Sequence, residues 1–365
     1  MARRLPAARP GLPAAAVRTL AALLLPLLLV TACSSEQLVP DAVPAGAHAD
    51  DDGGDESPGA SQAPSASASA SPAAHYDAAL LRTPKGRMLG VASEGGPADL
   101  GAVTGFSAET GRAPDLREYY LVWGSDFDPA GNAALWANGQ VPLVSWVPGD
   151  TRLTEIADGG QDEYLAGFAD KVAQYGGPVA LAFAPEMNSG WNSWGAERAS
   201  AADFVRAWRH VHDVFTEHGA GNVVWVWAPH VSDQHSSVAP RPYYPGDAYV
   251  DWVGMVGYYG PEDGSAWSGL FAPMVKTVRE FTRKPLLITE TGVAEGPRKV
   301  QQVADLFGGA AGTEGLIGLV WFDLQKTWPG SKYQTDWRVG SSAGAAAAVK
   351  KAVGARAFGH PAPRD

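Results

Sequence analysis

Hydrophobic positions in this chain follow two alternating spacings. Eight short runs are apolar at nearly every position: "RMLGVAS" (87–93), "EYYLVWGSD" (118–126), "VPLVSWV" (141–147), "PVALAFAPE" (178–186), "NVVWVWAP" (222–229), "VDWVGMVGY" (250–258), "KPLLITE" (284–290) and "LIGLVWFD" (316–323). Between them lie stretches with helical spacing, such as Leu165, Phe168 and Val172, then Phe204, Trp208, Val211 and Phe215. Ser200 and Asp203 are spaced to cap the second of these. Further helices are predicted over 267–282, 297–308 and 342–353. Strands without polar alternation are buried on both faces, so the pattern predicts a parallel sheet covered by helices. Eight units in about 270 residues fit a closed (β/α)8 barrel, whose usual size is roughly 250 residues. An open doubly wound sheet is the alternative. The folded domain is expected to span 81–358.

Composition changes the picture before that domain. Residues 1–33 combine a basic start (Arg3, Arg4, Arg9, Arg18), an apolar stretch over 19–30 and small residues ahead of Cys33. This is the pattern of an export signal, too short for a stable spanning helix. Val30-Thr31-Ala32-Cys33 also resembles a bacterial lipobox, which implies cleavage before Cys33 and a lipid on its sulfur; the alternative is a plain secretory signal with an incidental cysteine. Residues 34–80 read as a disordered linker of Ala, Ser, Pro and acids, with no Lys, Arg or aromatic residue up to Ala74. Its acidic run does not fit a calcium loop, because His48 and Gly59 fall at ligand positions.

Charge and cysteine count exclude several function classes. A net charge of −11 without clustered Lys and Arg argues against nucleic acid and against an anionic membrane surface as partners. Membrane contact is then expected through the lipid on Cys33 only. Cys33 is the single cysteine, so neither an intrachain disulfide nor a thiolate metal site is expected. The histidines form no H-E-x-x-H pattern and no P-loop or dinucleotide glycine motif is present, so no metal and no cofactor are expected, and the protein is expected to be a monomer.

The chemistry concentrates where strands end. Glu186 closes the fourth apolar run and Glu290 the seventh, and in a barrel both project into the mouth at the carboxyl ends of the strands. Glycoside hydrolysis needs such a pair, one carboxyl to protonate the leaving oxygen and one to attack the anomeric carbon or activate water. Each glutamate alone could instead be a buried ion-pair partner. Trp191 and Trp194 follow Glu186 in a loop with little core of its own and are expected to wall sugar subsites. Asn188 is a candidate sugar contact or a brace for the loop, and Trp146, His230 and Asp126 are further strand-end candidates. A G-x-S-x-G stretch over 340–344 is followed only by His360 and then Asp365, the reverse of the order a serine hydrolase requires.

The combination "APEMNSGWNSWG", "YYPGDAYVDWVGMVGYYG", "KPLLITETGV" and "LVWFDLQK" with a later "DWRV" resembles glycoside hydrolase family 26, the β-mannanase-type family of retaining (β/α)8 barrels. The resemblance implies Glu186 as acid/base and Glu290 as nucleophile. It implies a tyrosine hydrogen-bonded to the nucleophile, Tyr258 with Tyr259 as rival, and Trp321 as a sugar platform. The family's Glu-Met-Asn-Gly reads Glu186-Met187-Asn188-Ser189 here, and Pro185 stands where characterised mannanases carry histidine, which bears on strict mannan specificity. The expected protein is an exported, lipid-anchored retaining hydrolase of a β-linked polysaccharide, with β-1,4-mannan the default and β-glucan or β-xylan open. A non-catalytic carbohydrate-binding lipoprotein and a transglycosylase on the same barrel are the alternatives.

Overall fold

The computed structural model describes residues 75–364 except 234–235, 262–264 and 328–333. The export signal, Cys33 and the linker up to residue 74 lie outside the described residues. From the N-terminus the elements are α1 (Ala79–Arg82), β1 (Met88–Ala92), α2 (Gly101–Thr110), β2 (Leu116–Val122), α3 (Pro129–Asn138), β3 (Val141–Val147), α4 (Leu153–Ala157), α5 (Asp162–Tyr175) and β4 (Val179–Phe183). There follow α6 (Ala201–Glu217), β5 (Val223–Trp227), β6 (Trp252–Val256), α7 (Trp267–Arg279), β7 (Leu286–Thr291), α8 (Lys299–Gly312) and β8 (Leu316–Phe322). A hairpin of β9 (Gln325–Thr327) and β10 (Gln334–Asp336) and helix α9 (Ala343–Ala352) complete the order.

Strands β1 to β8 pair in sequence order and β8 closes on β1, all parallel, so the fold is a (β/α)8 barrel and not an open sheet. The eight apolar runs are its eight strands. Helix α6 starts as its cap pattern predicts: Ser200 Oγ accepts from Asp203 N at 3.1 Å and donates to the Asp203 carboxylate at 2.7 Å. Ser342, in the G-x-S-x-G stretch, caps α9 by accepting from Ala345 N. Helix α3, absent from the predicted set, carries a clear start signal in Asp128-Pro129, with Asp128 Oδ1 accepting from Gly131 N.

Strand parity divides the core in two. Ala92, Leu116, Leu143, Ala182, Val226, Leu287 and Val320 fill the barrel interior. Their neighbours Val91, Val144, Phe183, Trp227, Ile288 and Trp321 pack outward against the helices. The N-terminal end of the barrel is plugged by the segments that flank it. Ala78, Leu81 and Ala362 join the interior cluster, and Trp252 Nε1 donates to the carbonyls of Leu81 (3.2 Å) and Arg82 (3.3 Å). Tyr76 packs edge-on against Trp136 and donates to Pro363 O at 2.7 Å. Tyr76, Ala78 and the stretch from Ala362 to Arg364, which lie outside the expected 81–358, therefore pack against the barrel and cover apolar surface that it would otherwise expose.

Candidate active site

Glu186 lies three residues beyond the end of β4, in a turn and not in the strand itself. Ala184 and Glu186 both adopt left-handed backbone, with φ of 47° and 56°. For residues other than glycine this conformation costs roughly 1–2 kcal/mol each. The turn is held by the ladder it leaves: Ala184 N donates to Trp146 O at 2.9 Å and Glu186 N to Ala228 O at 2.7 Å.

Glu290 reaches the same mouth by a different device. Leu286 and Ile288 face the helices, so strict alternation would send Glu290 outward with them. The pairing of β7 shifts register toward both β6 and β8 over this stretch. Thr289 faces the barrel interior beside Gly254, and Glu290 meets Tyr120 there as well. A bulge of this kind re-aims a side chain, here a carboxylate.

Tyr120 comes from β2, where Leu116, Glu118 and Tyr120 occupy alternate, inward positions. Its phenol donates to Glu290 Oε2. Lys326 Nζ stands 6.0 Å from the centre of the Tyr120 ring and 5.6 Å from that of Phe322. Below them Glu118 is buried, its Oε1 accepting from Ser145 Oγ at 2.6 Å and its Oε2 without a hydrogen-bond partner among the described residues.

Electrostatics couple these carboxyls. Burial and then the charge of Glu186 raise Glu290 to about 8, against the Tyr120 hydrogen bond and Lys326, which favour its carboxylate. Burial, with a smaller contribution from the charge of Asp233, raises Glu186 to about 7 against hydrogen bonds from the Trp191 and Asn192 side chains. Glu118 is held well above the carboxylate range by burial and then by Glu290. The pair thus still carries a proton near neutral pH and titrates as a unit. Both members meet groups that favour the carboxylate, a phenol donor and an ammonium at Glu290 and the Trp191 and Asn192 side chains at Glu186, while the negative Asp233 beside Glu186 favours its acid form, so the proton is shared by the pair.

Several expected site residues are placed elsewhere. Trp191 is 40 % exposed beside Glu186 and packs edge-on against His230 at 5.0 Å, as a subsite wall requires. Trp194 is buried and donates from Nε1 to Pro185 O at 2.7 Å, so it anchors the turn that carries Glu186 and does not wall the cleft. Asn188 is fully buried: Nδ2 donates to His230 O (2.9 Å) and Val238 O (3.1 Å), and Oδ1 accepts from His230 N (2.8 Å). It braces two loops and does not face the mouth.

Tyr258 stands between Phe322 and Trp337, its hydroxyl without a hydrogen-bond partner among the described residues, so the phenol on Glu290 is Tyr120. Tyr259 turns away and donates to Asp305. Trp321 is buried on the helix side, near Phe307, with Nε1 donating to Trp337 O at 2.9 Å; Phe322 is the residue of β8 that points inward. Trp146 also faces the helices, stacked 4.2 Å from Phe168, and Asp126 pairs on the surface with Lys171. His230 is buried beside Glu186. Tyr120, Glu118 and Lys326 are the residues that the sequence reading passes over; an acid and a phenol two apart in an apolar strand, with Ser145 in the next one, were the available signal.

Residues 160–337 match the model of glycosyl hydrolase family 26. Endoglucanase H of Acetivibrio thermocellus is 28% identical over 268 residues, which are 70% of this chain and 29% of that protein. A beta-1,3-xylanase of a Vibrio species is 28% identical over 174 residues, 45% of this chain and 33% of the relative. The chain thus spans about a third or less of the curated relatives it matches. Among solved structures, the catalytic domain of the family 26 endo-beta-1,4-mannanase of Bacillus sp. JAMB-750 superposes with a TM-score of 0.56 at 15% identity, covering 77% of this chain and 89% of that one. The family 26 β-mannanase of Bacteroides ovatus gives 0.53 at 17%, covering 79% and 94%. At these identities the structures speak for the fold alone, a barrel of the same architecture. Residues 160–337, the stretch that matches the family 26 model, hold Glu186, Glu290 and the strands β4 to β8, and the family is the one that the motifs resemble.

Proposed function

We propose that this protein is a retaining glycoside hydrolase of a β-linked polysaccharide, with Glu290 as nucleophile and Glu186 as acid/base. The observation that carries the reading is the pair itself, two buried, coupled carboxyls at the barrel mouth that share a proton near neutral pH, with Tyr120 and Lys326 beside Glu290 and Trp191 beside Glu186. In the first step the Glu290 carboxylate attacks the anomeric carbon. The carbon–oxygen bond breaks, and the leaving oxygen takes the proton of Glu186. In the second step Glu186, now a carboxylate, removes a proton from water as the water displaces Glu290. Exposed Trp191, beside the acid/base, offers an apolar face to a sugar ring on the leaving-group side.

The names of the relatives, an endoglucanase, β-1,3-xylanases and a mannan endo-1,4-beta-mannosidase, support β-linked glycans as the class. β-1,4-Mannan is the first substrate to test, ahead of β-glucan and β-xylan. We place the enzyme outside the cell, held by a lipid on Cys33, on the strength of the sequence of residues 1–33.

The test is reducing-end release from soluble mannan, mixed-linkage β-glucan and β-xylan, run beside two variants. Glu290→Ala is expected to abolish turnover. Glu186→Ala is expected to retain first-step activity on aryl glycosides with good leaving groups and to be partly rescued by azide. Wild-type rates in Glu290→Ala would overturn the assignment.

A further inference from the structure

The catalytic pair with Tyr120 and Lys326 leaves the buried His230 without a task. His230 follows β5, joined to β6 by an isolated bridge to Val256, and is 4 % exposed. Its backbone is clamped by Asn188, which accepts from its N–H and donates to its carbonyl. Trp191 closes against one side of its ring. The imidazole is thus fixed in orientation, and its two nitrogens meet different surroundings.

Nδ1 lies 2.7 Å from the carbonyl oxygen of Val231. A carbonyl only accepts, so Nδ1 carries the hydrogen, and in the neutral ring Nε2 then presents a lone pair. Nε2 faces Glu186 Oε1 at 3.8 Å and Asp233 Oδ2 at 4.0 Å. These separations exceed a direct hydrogen bond, but active-site contacts often lengthen in the free enzyme and tighten around substrate. Burial disfavours the imidazolium and outweighs the opposing pull of Asp233 and of the Val231 carbonyl, so the ring is held below the usual histidine range. The other ionisable groups of the site are Glu290 on β7, Glu118 and Tyr120 on β2, and Lys326 on β9. A lone pair aimed at a carboxyl oxygen repels a carboxylate and welcomes a carboxylic acid.

We propose that His230 is a positioning residue for the acid/base. Its neutral imidazole accepts a hydrogen bond from the protonated carboxyl of Glu186 as the two close around substrate, which keeps the proton on Glu186 and aims the carboxyl until the leaving oxygen competes for it. This rests on the assignment of Glu186 as acid/base. The sign follows. An acceptor for the acid form raises the affinity of Glu186 for its proton, so His230 extends activity toward higher pH. A charged His230 would do the reverse.

His230→Phe keeps an aromatic ring against Trp191 and both backbone bonds to Asn188 while removing the nitrogens. On the soluble glycan that the wild type hydrolyses best, among glucomannan, mixed-linkage β-glucan and β-xylan, the basic limb of kcat/KM is expected to move down by about half a pH unit or more. On a dinitrophenyl β-glycoside, whose leaving group needs no proton, the first step is expected to keep its rate. A basic limb that stays in place or moves up in the folded variant overturns the proposal while leaving the hydrolase reading intact. Silence of the wild type on every probe would instead count against the hydrolase. Nitrogen-15 spectra of the imidazole answer the same question without turnover, and also if His230→Phe does not fold. Hydrogen on Nδ1 alone at neutral pH, with an Nε2 signal that shifts in Glu186→Gln, is expected; an imidazolium pattern, or an Nε2 indifferent to Glu186→Gln, overturns it.

Discussion

Tyr120→Phe removes one oxygen from the site and tests how Glu290, the proposed nucleophile, is helped to ionise. The phenol donates to Glu290 Oε2, a bond that the carboxylate accepts far better than the acid. Burial raises the phenol's own pKa, so it stays a donor. Hydrogen bonds to charged groups are worth about 1.5–3 kcal/mol, and about 1.4 kcal/mol corresponds to tenfold, so kcat/KM is expected to fall roughly ten- to one-hundred-fold. The direction on pH is fixed. The bond favours ionised Glu290, so losing it raises the affinity of Glu290 for a proton, and the acidic limb moves to higher pH by about one unit. The assay is kcat/KM against pH on an aryl β-glycoside with a good leaving group, which isolates the nucleophile from the acid. Tyr258→Phe is the control, expected to leave that limb in place because its hydroxyl makes no bond to Glu290 among the described residues. A folded Tyr120→Phe enzyme whose acidic limb does not move, or a Tyr258→Phe enzyme whose limb does, would refute the reasoning.

With the pair raised to about 7 and about 8 and titrating as a unit, wild-type kcat/KM is expected to peak near neutrality, where the pair holds one proton, falling at lower pH as it gains a second and at higher pH as it loses the last. A pH profile that stays flat well into the acid range would contradict that coupling. Leu81→Ala opens a cavity in the plug at the N-terminal end of the barrel, far from the mouth, and is expected to cost about 2–5 kcal/mol of stability in a denaturant titration without changing KM.

All eight strands were legible because parallel strands buried on both faces become unbroken apolar runs. The same continuity conceals which face each residue takes. In "LIGLVWFD" Trp321 and Phe322 are both apolar, and only the register of the closed barrel sends Trp321 to the helices and Phe322 inward. Glu290 was legible as a charge at a strand end, but the bulge that turns it inward was not, since it depends on pairing with both neighbours. The strand β2 begins two residues earlier than its apolar run, at Leu116, because Arg117 reads as a loop residue in isolation. In the fold its buried guanidinium donates to the carbonyls of Ser93 and Glu94. Tyr76 to Leu80 fall within the expected linker although Tyr76 breaks its composition, and what they do is visible only in the hydrophobic end of the barrel that this stretch covers.

The turn bearing Glu186 shows what such contacts accomplish. Two left-handed residues, Ala184 and Glu186, would relax toward ordinary backbone unless their surroundings over-determine them. Asn188 supplies much of that constraint: its amide ties the loop after β4 to the backbone of His230 and Val238, and its own carbonyl accepts from Ser236 Oγ. Asn188→Ala leaves the buried N–H of His230 and two carbonyls short of a partner, at about 1–3 kcal/mol for such a group, so a clear loss of thermal stability is expected. In survivors Glu186 is still present but less well aimed, and misplaced acids lower turnover more than binding. The expected result is therefore a lower kcat with KM nearly unchanged, together with the lost stability. If Asn188 instead held a sugar hydroxyl, KM would rise and the melting temperature would stay, and a fully buried amide has no means of producing that pattern.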